Sequence, residues 1–412
     1  MQASPYLERS SELKVERSSV GRYEALKREL DPDRFLRIAR DVSGLSDFGD
    51  ERFLEPYRKL LDCVARDVDF SDEGLESFKG NVVRCLVNKL RIRRDFLSHP
   101  EIRDEVVDDP IVVIGLPRTG TTKMQRILSS LPASEIQRPL LWQLLNPAPF
   151  PDAVPGRPDP RIAAAGMSGI TSDGRPDYEA AHLAAPAEPE EDVIMCDSTF
   201  DDWVWSSIFA PSLSYHDWVV RRPHLSNYEH LRDMYKYLQW QGGGRRGRIW
   251  VTKNVQHIAY LDELLTCFPK ATLVHCHRAP HDSIPSLAKL SLAIWAPILK
   301  TTDPVFAGRA VFKWWRLATD RYMEARGRLR LDGRIIDVPY DRIRNDAINV
   351  CREVYHRAGR PLSSEQLSAI ARWDADNEQH KHGRHSYSLA EFGLSAAEID
   401  SAFKDYIDRF IT

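Results

Sequence analysis

With 412 residues, 42% of them hydrophobic and 28% charged, the chain exceeds one comfortable core, which predicts an enlarged domain with an appended region. A formal net charge of −3 excludes the broad basic field of a nucleic-acid binder, and no apolar run approaches the ~18–20 residues of a membrane span. Six cysteines, at 63, 85, 196, 267, 276 and 351, lie far apart without a C-x-x-C pair, which speaks against a zinc site or a disulfide framework and for buried thiols.

The N-terminus lacks the apolar segment of a signal peptide, so a cytoplasmic location is expected. Residues 1–108 read as a helical region: Phe53, Leu54, Tyr57, Leu60, Leu61 and Val64 recur at helical spacing and form a face that must pack on something. Asp108, Asp109 and Pro110 then punctuate the entry into a β-branched strand over 111–115. Residues 109–412 are expected to form the main α/β domain. Further strands are predicted at 248–252, 271–276 and 335–338, each followed by helix-like sequence. This alternation implies a three-layer α/β/α sandwich around a mostly parallel sheet, with ligand outside the strands' carboxyl ends. Between the first two predicted strands, residues of about 145–245 carry proline-rich and alanine-rich stretches and no strong strand signal. With Trp142, Trp203, Trp205, Tyr215 and Trp218 in or beside it, this segment suits a helical cap over an acceptor site, although each aromatic taken singly also reads as ordinary core.

The first strand runs into Gly115-Leu-Pro117-Arg118-Thr119-Gly120-Thr121-Thr122. Gly115 and Gly120 stand at the spacing of the phosphate-binding loop G-x-x-x-x-G-K-[ST], in which backbone N–H groups and a helix N-terminus hold an anion. Thr121 replaces the lysine that an NTPase sets on its β- and γ-phosphates, and a cation, Arg118, lies within the loop instead. A second strand-end cation, Arg278, closes the run 271–278, and Ser286 follows eight positions later. A guanidinium fork with a helix-start hydroxyl is good chemistry for a phosphate.

The run Pro117 to Thr122 resembles, position by position, the 5′-phosphosulfate loop of sulfotransferases that use 3′-phosphoadenosine-5′-phosphosulfate (PAPS). The pair Arg278 and Ser286 is similar to the family's 3′-phosphate site, in the family's order. The resemblance covers the chain from about residue 108 to the end. It implies a PAPS-dependent sulfotransferase that transfers a sulfuryl group to a hydroxyl of a small, lipophilic alcohol or phenol, with no metal requirement, and releases 3′,5′-adenosine diphosphate (PAP). Pro117, Arg118, Thr119, Gly120, Thr121, Thr122, Arg278, Ser286 and Arg384 are the implied donor-binding residues. No nucleic-acid partner and no stable membrane insertion are expected, and the oligomeric state is open, a homodimer being one option.

For catalysis, Arg118 and Lys253 are the candidate cations. The segment Lys253-Asn-Val-Gln-His257 resembles a bacterial subfamily's Lys-x-Pro-x-His element, with Val255 in place of the proline. His257 is the candidate base, since an imidazole can take a proton near neutral pH; the alternative is a histidine that merely bonds a helix start. A carboxylate is the rival. The subfamily shows Trp-Glu where this chain has Trp142-Gln143, and a glutamine cannot serve as a base. Glu135 has unconvincing spacing, and His182 with Glu188-Pro-Glu190-Glu191 resembles another subfamily element, whose acids read first as helix-start residues. Near the C-terminus, His380 to Tyr387, with Arg384, precedes Phe392-Gly393-Leu394, as in the subfamily, and Tyr340 matches its turn tyrosine. Two other classes stay open: a kinase-like NTP-dependent enzyme, and a protein that binds PAP or PAPS without turnover.

Overall fold

The computed structural model describes residues 19–377 and 388–411, apart from 155, 169 and 173. Its centre is one five-stranded sheet: β1 (Ile111–Gly115), β2 (Ile136–Gln137), β3 (Ile249–Lys253), β4 (Thr272–His277) and β5 (Ile335–Pro339). The order is β2-β3-β1-β4-β5 and every pairing is parallel. In register, Ile111 lies opposite Val251 on one side and Thr272 on the other.

Strand β1 is buried along its whole length, as a central strand covered on both faces must be. Its side chains divide with period two. Ile111 and Val113 join a core with Met124, Ile127 and Leu128 of the Thr121–Leu128 helix and Val350 and Val354 of the Ala347–Arg357 helix. Val112 and Ile114 face the other way, into a core with Ala288 of the Pro280–Trp295 helix and Trp314 and Tyr322 of the Pro304–Arg328 helix. The expected α/β/α sandwich is therefore present. β2 is an addition: two residues at the sheet edge, too short to leave a periodic signal.

The second core does not stop at the sheet. It continues through the segment before β3 into the N-terminal helices Pro32–Ser43, Leu54–Asp67 and Asp72–Ser98. Tyr57, Leu60, Leu61 and Val64 are buried, and Tyr57 meets the Phe200 ring edge-on at 4.9 Å. Arg84 reaches Asp197 at 2.6 Å, both largely buried. The apolar face of the N-terminal region thus packs on the segment anticipated as a cap. Trp203, Trp205 and Tyr215 are buried in the same core, so these aromatics are structural. All six cysteines are buried and free. Among the described residues, no helix is long and apolar enough to cross a membrane.

Candidate active site

Parallel strands end at one edge, so the segments following β1, β3, β4 and β5 share it. Arg118, Lys253, Arg278 and Tyr340 all follow or close these strands. β1 stands between β3 and β4, where the chain's course changes side, the place at which open α/β sheets bind ligands.

The loop after β1 needs both of its glycines. Gly115 has φ +145°, and a Cβ there would lie 2.6 Å from the Cys276 carbonyl oxygen. Gly120 has φ +92° and caps the Thr121–Leu128 helix without a side-chain acceptor, so the helix's first N–H groups are left to a ligand. Between them Arg118 takes a left-handed φ of +69°, a costly conformation for a residue with a Cβ. Buried Thr119 fixes the turn by donating its hydroxyl to the Leu116 carbonyl at 2.7 Å. These features fit an anionic phosphate.

The two distant phosphate motifs meet here. Arg118 Nε donates to Ser286 Oγ at 3.2 Å, and Arg278 Nη1 donates to the Arg118 carbonyl at 3.1 Å. The Arg278 guanidinium lies 4.7 Å over the Tyr340 ring, which also borders Gly120. Sequence pattern allowed Tyr340 a packing role; the fold makes it the platform under Arg278.

The other end of the loop is charged differently. Lys253 Nζ lies 3.1 Å from Thr122 Oγ1, 2.8 Å from Glu191 Oε1 and 3.5 Å from Glu190 Oε1, with its side chain only 1% exposed. Glu190 also pairs with His182 Nε2 at 2.7 Å, and its backbone carbonyl accepts from Gln125 of the loop's helix at 3.1 Å. Burial alone would raise the Glu190 pKa; His182 and Lys253 outweigh it and hold the carboxyl well below the ordinary carboxylate range. Glu190 and Glu191, read first from sequence as helix-start acids, are therefore part of the site. The available signal was the run Glu190-Glu191-Asp192, every member of which bonds to the end of β3 or just beyond.

His257 sits differently from a free base. Its Nδ1 is 2.8 Å from the Tyr228 hydroxyl and its Nε2 is 3.5 Å from Asp192 Oδ1, with the side chain 1% exposed. Asp192 in turn accepts from Tyr235 at 2.5 Å and from Asn254 at 3.0 Å. The imidazole thus bonds to Tyr228 and lies beside Asp192 of the acidic segment. Gln143 caps its own helix, its side-chain oxygen accepting from the Leu140 N–H at 3.2 Å. Glu135 bonds to Gln366 and lies with the helix-capping contacts there. Arg384 and the run from His380 to Tyr387 fall outside the described residues. The following Phe392, Gly393 and Leu394 are structural: Phe392 and Leu394 are buried, and Gly393 adopts φ +63° at the end of a short helical turn.

The sequence pattern described as "Sulfotransferase family" matches residues 110–364, more than half of the chain. The protein belongs to the sulfotransferase family. Solved structures that share its architecture include two sulfotransferases. Sulfotransferase STF9 from Mycobacterium avium is 26% identical, with 92% of this chain and 96% of that one covered and a TM-score of 0.80. Sulfotransferase STF1 from Mycobacterium tuberculosis H37Rv is 24% identical, with 91% and 98% covered and a TM-score of 0.74. Among curated proteins none matches the sequence. The matched span of this sulfotransferase includes the loop after β1, Glu190, Glu191, Lys253, Arg278, Ser286 and Tyr340.

Proposed function

We propose that this sulfotransferase takes PAPS as donor and sulfates the hydroxyl of a small, lipophilic alcohol or phenol. The observation that carries the reading is the meeting of Arg118, Ser286 and Arg278 beside a glycine-bracketed loop whose far end holds Lys253. Two cationic sites flank one anion cradle, as a nucleotide phosphorylated at both 3′ and 5′ positions requires.

In such a reaction the donor supplies an SO₃ unit: the acceptor oxygen bonds to sulfur, the bond from sulfur to the 5′-phosphate oxygen breaks, and the acceptor proton must go to a base. Glu191 is the proton acceptor we propose. It is the more open of the two acids, its side chain 23% exposed against 6% for Glu190. Glu190, held anionic by His182 and Lys253, orients the lysine. Lys253 faces the charge that develops on the leaving phosphate, and its burial strengthens that interaction. His257 keeps Asp192, and with it the acidic segment, in place. Six free buried thiols accord with a cytoplasmic enzyme.

Calorimetric titration with PAP, 5′-AMP and ATP, with and without Mg²⁺, tests the donor. PAP is expected to bind independently of Mg²⁺ and far more tightly than 5′-AMP. A preference for Mg-ATP would instead establish a kinase-like enzyme. Transfer of labelled sulfate from PAPS to a panel of phenols and alcohols then separates an enzyme from a protein that only binds the nucleotide.

A further inference from the structure

Arg278 is the residue immediately after β4, and the side chain before it points into a buried chain of hydrogen bonds. Arg326 donates both terminal nitrogens to Asp337, at 2.7 Å each. His277 Nε2 lies 2.8 Å from Asp337 Oδ1, and His277 Nδ1 lies 2.9 Å from the Tyr406 hydroxyl. Phe410 stacks on the His277 ring at 4.3 Å and 14°. Tyr406 and Phe410 both belong to the last helix, Lys404–Phe410.

The directions along this chain are mutually determined. Arg326 keeps Asp337 anionic, so Asp337 accepts from His277 Nε2–H, which leaves Nδ1 as an acceptor. Tyr406 must then donate its proton to Nδ1. His275, His277 and Asp337 also place their ligand atoms within 4.8 Å of one another, close enough for a metal trio. The Arg326 guanidinium already fills the cation's place on both Asp337 oxygens, so the cluster works as a relay of hydrogen bonds.

We infer that Tyr406 is a positioning residue for the donor's 3′-phosphate, by which the last helix of the chain holds His277 and, through it, the end of β4 from which the Arg278 guanidinium projects. This rests on the reading of Arg278 as the 3′-phosphate arginine. It adds that discrimination between a nucleotide with a 3′-phosphate and one without it depends on a hydroxyl that cannot touch the nucleotide, being buried 1% exposed behind the strand.

The test compares full-length wild type, Tyr406→Phe and Arg278→Ala by calorimetry with PAP and 5′-AMP. Tyr406→Phe keeps the ring and its packing; it is expected to weaken PAP about three- to tenfold, as loss of one hydrogen bond gives, while 5′-AMP affinity stays within about twofold. Arg278→Ala is expected to remove most of the preference for PAP. An unchanged preference in Tyr406→Phe, or a parallel loss for both nucleotides, overturns the inference when Arg278→Ala does lose it. An unchanged preference in Arg278→Ala overturns the 3′-phosphate reading itself. Should Tyr406→Phe not fold, Phe410→Leu loosens the same helix on His277; it is expected to lower the PAP preference, and an unchanged preference overturns the inference.

Discussion

Lys253 ends β3 with its side chain buried and must find its counter-charges within the protein, which it does in Glu190 and Glu191. The two acids differ in what remains to them. Both contact Lys253, but Glu190 is also paired with His182 and nearly enclosed, whereas Glu191 keeps part of its side chain exposed. Glu191→Gln is expected to lower kcat by about 10²–10⁴, the usual worth of a general base, with PAP affinity nearly intact. Rapid-quench turnover with PAPS alongside PAP titration checks it; wild-type turnover would return the search to His257. The asymmetry between the acids was not visible in their adjacency, because it arises from His182, 8 residues before Glu190, which pairs with that acid.

At the scale of elements, the strand-end residues depend on what packs behind them. Asp337 on β5 is partly buried, which alone would raise its pKa, but Arg326 and His277 bring it down from 3.8 to about 2. A carboxyl with a depressed folded pKa stabilises the native state above its ordinary value, and that contribution disappears as pH falls from 3.8 toward about 2. Asp337→Asn should therefore show a urea midpoint well below wild type at neutral pH, with the difference shrinking as the solution approaches pH 2. A gap that is constant across this range would show that the charge is not the source of the stability. A second dependence lies in the Pro304–Arg328 helix, where Gly308 lets the Phe392 backbone approach. A Cβ at 308 would stand 2.2 Å from the Phe392 carbonyl oxygen. Gly308→Ala is expected to cost about 1–3 kcal/mol in urea unfolding, the scale of overpacking, despite the better helix propensity of alanine. A stabilised variant would refute the close approach. The Phe-Gly-Leu run was recognisable in sequence, but its packing reason lies on a helix some 80 residues earlier.

Across the whole molecule, the division into a helical region and an α/β domain that composition suggests is not a division of cores. One apolar core runs from Leu26 to Tyr406 and includes the N-terminal helices, the segment before β3 and one face of the sheet. Arg84 and Asp197 cross the same boundary as a largely buried pair. Removal of residues 1–104 should therefore expose the faces of Phe200, Trp205 and Phe209 and leave a protein that aggregates or fails to unfold cooperatively. Circular dichroism melting and size-exclusion chromatography of the shortened chain provide the check, and a monomer with a sharp transition would contradict the shared core.

By itself the sequence determined what local order can encode. The β-branched run of β1, the glycines at 115 and 120, and strand-end cations followed by helices are properties of contiguous residues, so the parallel α/β sandwich and the phosphate cradle were legible. Tertiary structure decided which distant groups share a charge. It put Ser286 on Arg118, Tyr340 under Arg278, and Glu190 and Glu191 on Lys253, and it enclosed His257 between Tyr228 and Asp192. A buried ionic group is stable only with partners, and those partners come from whichever segments the fold brings near it, at separations that no local pattern specifies.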